Sequence, residues 1–235
     1  MTVTGSLLQT LHRINKQKAD LEGQLRRGPK VVAAAQAKLD AALQGAQDVQ
    51  DRITQMKVDA DAKQLQMKQR EDKILQWEGQ LNAAKENREY QTLKDQIAAD
   101  TQANVVLSDE ILETLEGIDA TEVELEDAKK QADLVREDFE KIEKQIQTKR
   151  TSLEAELERV CGELAETEKG LSGEIKRDYE RLIAAKGEDA LAPAEDGCCS
   201  ACYRSLTPQT LEQLAVGKPV PCPACGCLLY LSRAD

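Results

Sequence analysis

The chain has very few aromatic side chains: Phe, Trp and Tyr together make up only 3% of its 235 residues. A large globular core usually needs more bulky apolar mass than this, so an ordinary single globule is not expected. Charged residues make up 32% of the chain instead, and its commonest residues are Ala, Leu, Glu, Lys, Gln and Asp. That composition is typical of long helices packed side by side. Disorder is the competing interpretation of so polar a chain, and the periodicity described below argues against it.

The sequence also lacks a long apolar run and an excess of basic residues. No segment approaches about eighteen consecutive apolar residues, so no membrane-spanning helix is expected. The first residues show no charged stretch followed by an apolar run, which speaks against a secretory signal and favours the cytoplasm. The formal net charge of −11 repels phosphate and so disfavours nucleic acid and anionic membranes as partners.

Histidine is almost absent, which limits the catalytic chemistry that the chain can offer. The only histidine is His12, and we expect it on a polar helical face. No glycine-rich phosphate loop and no pairing of a nucleophile with a base can be recognised. Carboxylates are abundant, but we expect them on solvated helix faces. The sequence therefore predicts a protein that is not an enzyme.

Helical periodicity fills most of the chain. A first helix is predicted over residues 6–27, with a kink or short break near 28–29, because glycine ends helices easily and proline fits a first helical turn. A seven-residue repeat then continues to residue 81, and only Lys63 and Arg70 are polar in its seam. Such a repeat predicts a left-handed coiled coil. The seam consists of Val32, Ala35, Leu39, Ala42, Ala46, Val49, Ile53, Met56, Ala60, Lys63, Met67, Arg70, Ile74, Trp77 and Leu81.

A second repeat begins at Leu93, shifts its seam near residue 155 and continues to Leu182. With a tight reversal near 82–88, the two repeats predict a mainly α fold: a long antiparallel coiled-coil hairpin over residues 1–185. A hairpin centred near residue 85 places Pro29 opposite Lys141, and Leu7 opposite Glu163. Residues after about 165 then have no partner within the chain. Residues 186–197 have the composition of a linker, and a small domain with short β-strands follows at 198–235.

Six of the seven cysteines lie in this last segment. Cys199, Cys202, Cys222 and Cys225 form a C-x2-C-x19-C-x2-C pattern, in which each pair can wrap a turn that points two sulfurs at one metal. Four thiolates complete a closed tetrahedral shell, which is typical of one structural zinc ion rather than a catalytic one. So short a segment needs such an ion, because it cannot bury enough apolar surface alone.

Three further cysteines leave alternatives open. Cys198 or Cys227 competes for the metal through a C-x3-C or C-x-C arrangement, although only the C-x2-C choice gives two matching turns. Iron is the alternative metal for the same four sulfurs. Cys161 lies far away in sequence and is expected to be an ordinary helical side chain.

Two stretches resemble a bacterial family of C4-type zinc-ribbon coiled-coil proteins. One runs from Asn87 to Ile97, just after the predicted tip, and the other from Leu206 to Tyr230 across the second cysteine pair. The family includes a flagellar-biogenesis chaperone that associates with sigma-54, and members tied to type III secretion. The resemblance implies zinc on the four cysteines named above. The chain departs from the family at Cys227, where a basic residue is usual, and at its extra Cys198.

The favoured function is a scaffold or chaperone-like adaptor for protein partners, which by resemblance include sigma-54 and flagellar or type III secretion components. Arg88, Glu89 and Tyr90 at the tip are the candidate partner-binding residues, and the alternative role of Tyr90 is to pack with Leu93 against the first helix. A nucleic-acid-binding or transcription-associated protein is the alternative function. The segment 193–235 opposes it, because it has three basic and four acidic residues. Whether a second copy pairs with the hairpin stays open.

Overall fold

A computed structural model of the chain describes residues 3–171 and 173–231, and their side chains from residue 5 onward. Two long helices pack together, and a small sheet follows at the C-terminal end, which confirms the predicted fold class. Among the described residues, no helix combines the length and apolar character needed to cross a membrane. The elements are α1 (Val3–Ala83), α2 (Asn87–Glu168), α3 (Gly173–Lys186), a 3-10 turn (Gly187–Ala190), β1 (Leu191–Glu195), β2 (Cys198–Cys199), α4 (Pro208–Ala215), β3 (Val220–Pro221) and β4 (Leu228–Leu231).

The predicted seam is the buried side of both long helices. Every seam residue named above from Val32 to Leu81 is buried or half-buried, and so are Leu93 and Leu182 at the ends of the second repeat. The reversal also lies where it is predicted, since α1 ends at Ala83 and α2 begins at Asn87. The chain divides into two compact units, Ala34–Lys141 and Met1–Ala33 with Ile142–Asp235. We call them the hairpin unit and the ribbon unit and describe each by itself.

The hairpin unit has a core only one layer of side chains deep. Ile53, Ile118 and Leu125 form its buried cluster, with Val49 and Met56 packed against it. Ion pairs between α1 and α2 flank this seam, as coiled coils commonly use to fix register. They are Arg52–Glu124, Lys57–Glu122 at 2.9 Å and Lys63–Glu110 at 3.0 Å.

The short break that the sequence allowed near 28–29 is wrong, because α1 is helical on both sides of Pro29, whereas the alternative of a kink there stays a prediction. Proline removes the hydrogen bond to the carbonyl four residues earlier, which costs about 3 kcal/mol inside a helix. Packing against α2 opposes that cost. A side chain at Gly28 would lie 3.2 Å from Ile146 Cγ2, so the glycine lets the two helices approach closely at this point. This contact also shifts the predicted register, which placed Pro29 opposite Lys141.

The segment after residue 165 does have a partner, contrary to the prediction. Gly170 lies against Leu7, where Glu163 was expected, and α3 then packs on the start of α1. The helical side of this core contains Leu8, Leu11, Ile14, Leu21, Val160, Leu164, Leu171 and Tyr179. The helices therefore enclose a core in the ribbon unit instead of leaving α3 without a partner.

The predicted linker at 186–197 is also wrong, since it contains a central strand. The sheet has the order β2-β1-β4-β3, and β1 pairs in parallel with β4, Leu191 opposite Leu228. Successive side chains of β4 point to opposite faces of the sheet, as in any strand. Leu228 and Tyr230 pack in the core with α1 and α3, whereas Leu229 packs with the cysteine side. The sheet thus separates the helical core from the cysteine cluster.

Candidate metal centre

The four predicted ligand cysteines come together in the ribbon unit. The sulfur atoms of Cys199, Cys202, Cys222 and Cys225 all lie within 4.8 Å of one another. The Cys199–Cys225 sulfurs are 3.7 Å apart and the Cys202–Cys222 sulfurs 3.8 Å apart. A tetrahedron of sulfurs about 2.3 Å from a central zinc ion has edges of about 3.8 Å. The cluster therefore fits a tetrahedral four-thiolate metal site.

Two turns of the same construction position these sulfurs. In the first turn, the Tyr203 amide donates to the Cys199 carbonyl at 2.7 Å. In the second, the Gly226 amide donates to the Cys222 carbonyl at 2.8 Å. The residue after each second ligand has a positive φ, 57° at Tyr203 and 73° at Gly226. Glycine adopts that conformation without strain, so Gly226 suits the end of the second turn.

Burial and the hydrogen bonds within the turns act together on the pKa values of the thiols. Burial raises the pKa of Cys222, but hydrogen bonds to its sulfur from the backbone amides of Cys225 and Ala224 and from the thiols of Cys225 and Cys202 together outweigh burial, and the pKa falls to about 7. At Cys199 burial dominates and raises the pKa to about 12. A metal ion binds thiolates, so its charge must offset the cost of ionising the buried Cys199.

The remaining cysteines stand outside the cluster. Cys227 is buried, and its thiol donates to the Asp189 carbonyl at 3.0 Å. Its sulfur also lies 3.7 Å from Lys186 Nζ, which donates to the Cys225 carbonyl. Lys186 thus brings a positive charge to the second turn, beside Cys227. Cys161 is half-buried on α2.

Cys198 starts the two-residue strand β2 and is only half-buried. It pairs across the sheet with Glu195. Together with the position of Cys227, this arrangement favours the C-x2-C choice of ligands over the alternatives that the sequence left open.

The predicted position of His12 on a polar helical face is wrong. Its side chain is 5% exposed, and Nδ1 shares a 2.7 Å hydrogen bond with the hydroxyl of Tyr230 on β4. Burial and the charge of Lys16 lower the pKa of His12 to about 4, against an opposing effect of Asp189. His12 therefore stays neutral near pH 7 and joins α1 to the sheet.

A second buried polar contact lies close by in sequence. Asn15 is buried, and its amide donates to the Tyr179 hydroxyl at 2.9 Å and to the Leu11 carbonyl at 2.8 Å. Tyr179 in turn donates to Glu168 at 3.0 Å. Sequence reasoning missed both contacts. The available signal was the presence of tyrosines in a chain with so few aromatic residues, because a buried tyrosine needs a polar partner.

The candidate partner-binding residues lie in the hairpin unit at the start of α2. Arg88, Glu89 and Tyr90 are all exposed, with Tyr90 44% exposed. The packing alternative placed Leu93 and Tyr90 together against the first helix, and of these two only Leu93 is buried. The three residues are thus accessible to another molecule.

No protein-family model and no curated protein matches the chain. The fold resembles those of three solved proteins. CT398 from Chlamydia trachomatis has a TM-score of 0.84 at 19% identity, over 97% of this chain and 98% of that one. HP0958 from Helicobacter pylori has a TM-score of 0.64 at 16% identity, over 97% of both chains. A Mycobacterium smegmatis protein has a TM-score of 0.63 at 17% identity, over 99% of this chain and 100% of that one. At such low identity the likeness shows the fold alone.

Proposed function

We propose that the protein is a non-enzymatic adaptor that holds protein partners on its helices and on a zinc-stabilised ribbon. The observation that carries the proposal is the exposure of large apolar side chains along the long helices. Val58, Leu65 and Leu75 on α1, and Leu112 and Val123 on α2, are each more than half exposed. Val58 and Leu65 are seven positions apart and so share one face of α1. Apolar surface that extends along a helix in this way, unlike a single scattered residue, is typical of sites that meet other proteins.

Zinc is the proposed metal, in a structural role. Four thiolates around one ion leave no position for a substrate or a reactive water. The bound ion would hold together the two turns and the short strands between them, which bury too little surface to fold alone. The only histidine is engaged with Tyr230, which also fits a role without catalysis.

The resemblance to sigma-54-associated and secretion-associated proteins suggests which partners to look for. Tagged protein is captured from a lysate of its own cells, with and without nuclease, and the bound proteins are identified by mass spectrometry. We expect at least one specific protein to survive nuclease, with sigma-54 and flagellar or type III secretion components as the candidates. Recovery of material only in nuclease-sensitive form would contradict the adaptor and favour nucleic-acid binding. Capture with the Cys199→Ser variant, as a comparison, shows which partners need the ribbon.

A further inference from the structure

Helix α2 carries a second heptad stripe, separate from the seam that packs on α1. Its residues are three and four positions apart in alternation, which places them on one helical face. All six are exposed and none is charged, although 32% of the chain is charged. We call this surface the outer stripe. It consists of Ala98, Thr101, Val105, Ser108, Leu112 and Leu115.

The outer stripe lies directly beside the buried seam. Its residues follow seam residues by one or four positions, as Leu112 and Leu115 follow the buried Ile111. Over residues 98–115 the uncharged outer stripe therefore lies beside the seam that α1 covers, in which Asp100 is the one charged residue. This stretch is about 27 Å long at 1.5 Å per residue. A helix with one partner needs only one seam, so the second is typical of a helix that packs against two.

The charged residues that border the outer stripe on its solvent side are acidic, whereas Ala99, Gln102 and Val106 leave the first half of that border without charge. Asp109 and Glu116 directly follow the stripe residues Ser108 and Leu115 in the sequence. Asp95 follows Lys94, which lies four positions before the first stripe residue, Ala98. None of these three acids takes part in an ion pair within the described residues. Lys94 is a cation at the N-terminal end of the stripe and lies on the same heptad spacing. Charges beside a helical seam select the partner.

Asp119 and Glu122 continue the same spacing at the other end of the stripe. Glu122 is neutralised by Lys57 at 2.9 Å, whereas Asp119 has no ion pair among the described residues. The uncharged surface thus ends at a further unpaired acid.

We infer that the outer stripe binds an amphipathic helix of another protein whose apolar seam is flanked by lysine or arginine. A second copy of this chain is a poorer fit. Antiparallel pairing about the middle of the stripe brings Asp95 towards Glu116 of the copy, and parallel pairing sets each acid beside itself. Like charges beside a helical seam oppose association. The inference rests on the proposed adaptor function and names the surface and the partner class.

The test uses the full-length protein and a labelled synthetic helix of three heptads, with Leu in the seam and Lys beside it. A matched peptide has Glu in place of Lys. The protein variant Leu112→Gln/Leu115→Gln removes the apolar contacts without changing charge. Leu134→Gln is its control, because Leu134 is exposed on the same helix but outside the stripe. Fluorescence anisotropy reports binding, and circular dichroism verifies that each variant is folded.

We expect the Lys peptide to bind and the Glu peptide not to bind. The double variant should lose about tenfold or more in affinity, as is common for central apolar contacts, and Leu134→Gln should bind like the wild type. Equal binding by the double variant would overturn the inference, because attraction between charges would then suffice. A wild-type dimer in sedimentation that the double variant dissociates would also overturn it, in favour of a second copy.

The two proposals can fail separately. The double variant could capture the same nuclease-resistant proteins from a lysate as the wild type while the peptide test also fails. In that case the inference about the outer stripe is wrong, and the proposed adaptor function is supported. If the wild type captures no such protein while the Lys peptide binds at the stripe, the stripe is correct as a helix-binding surface and the adaptor function is wrong.

Discussion

The two units bury different kinds of side chain. The ribbon unit encloses two tyrosines together with His12 and Asn15, and each of these polar groups has a specific hydrogen-bond partner. The hairpin unit buries aliphatic residues and several alanines, and its only buried polar side chain among the described residues is Thr121. A buried polar network must be satisfied in one arrangement, whereas a helical seam without such polar residues lacks one means of fixing its register. The position of α1 relative to the sheet is therefore specified more sharply than the pairing of the two long helices.

The largest expected effect is the loss of the metal site, which should unfold the sheet of the ribbon unit and leave the hairpin unit folded. Cys199→Ser removes one thiolate, and metal binding contributes about 10–16 kcal/mol to the folding of small zinc domains. We expect the variant to lose its zinc and the amide protection of β1–β4, while the hairpin unit keeps its protected amides. Elemental analysis and hydrogen exchange measure the two effects. Cys161→Ser is the matched control and should keep one zinc ion per chain. Full zinc content in Cys199→Ser would refute the choice of ligands.

A core substitution should act in the opposite unit. Ile53 is 1% exposed in the hairpin unit, and truncating such a residue costs about 2–5 kcal/mol. We expect Ile53→Ala to lower amide protection around residues 49–56 and 118–125 and to leave zinc content unchanged. Val58→Ala, at an exposed site on the same helix, should change the free energy of unfolding by less than about 0.5 kcal/mol. Equal losses of protection in both units would show that they unfold together.

Acid should weaken the ribbon unit through His12. Its pKa falls from 6.5 to about 4 on folding, so the unfolded chain binds the proton more readily and stability is lost as the pH falls below 6.5. Between pH 7.5 and pH 5.5 the loss should be about 1.4 kcal/mol. Urea unfolding at both pH values, compared with His12→Gln, isolates this contribution, provided that zinc content is the same at both. An identical pH dependence in the variant would mean that His12 is accessible to protons in the folded state.

Sequence patterns predicted whatever depends on neighbours along the chain. The seam residues were found because helical spacing is local, and the cysteine turns because each pair lies within four residues. The errors arose where distant residues decide the outcome. Pro29 stays within a helix at a point where Gly28 allows α1 to approach Ile146 of α2 closely.

The predictions for the linker and for His12 failed for the same reason. Ala-Pro-rich residues 191–195 form a strand only because β4, more than thirty residues later, pairs with them. His12 gained a buried partner 218 residues away. Composition and local spacing carry no information on such pairings.

The smallest expected effects are changes in the free energy of unfolding when a glycine of the hairpin unit is replaced by alanine. They show how specifically side chains pack in the seam. Glycine in a helix costs about 0.5–1 kcal/mol relative to alanine, and an added Cβ at Gly45 meets nothing within 4 Å. Gly45→Ala should therefore stabilise the hairpin unit by about that amount. At Gly117 the added Cβ would lie 2.9 Å from Met56 Cε, so Gly117→Ala should gain less, or lose stability, according to how firmly Met56 is held.

Denaturant unfolding followed by the helical signal compares these two variants with the wild type. A gain at Gly117 equal to that at Gly45 would show that Met56 moves aside freely, because its flexible end then finds other space in the seam. The hairpin unit would in that case be held by its aliphatic burial and ion pairs without a unique arrangement of side chains. A clear difference between the two variants would instead show that Met56 is held in one position. Side-chain packing at this layer of the hairpin unit would then be as specific as the buried polar contacts of the ribbon unit.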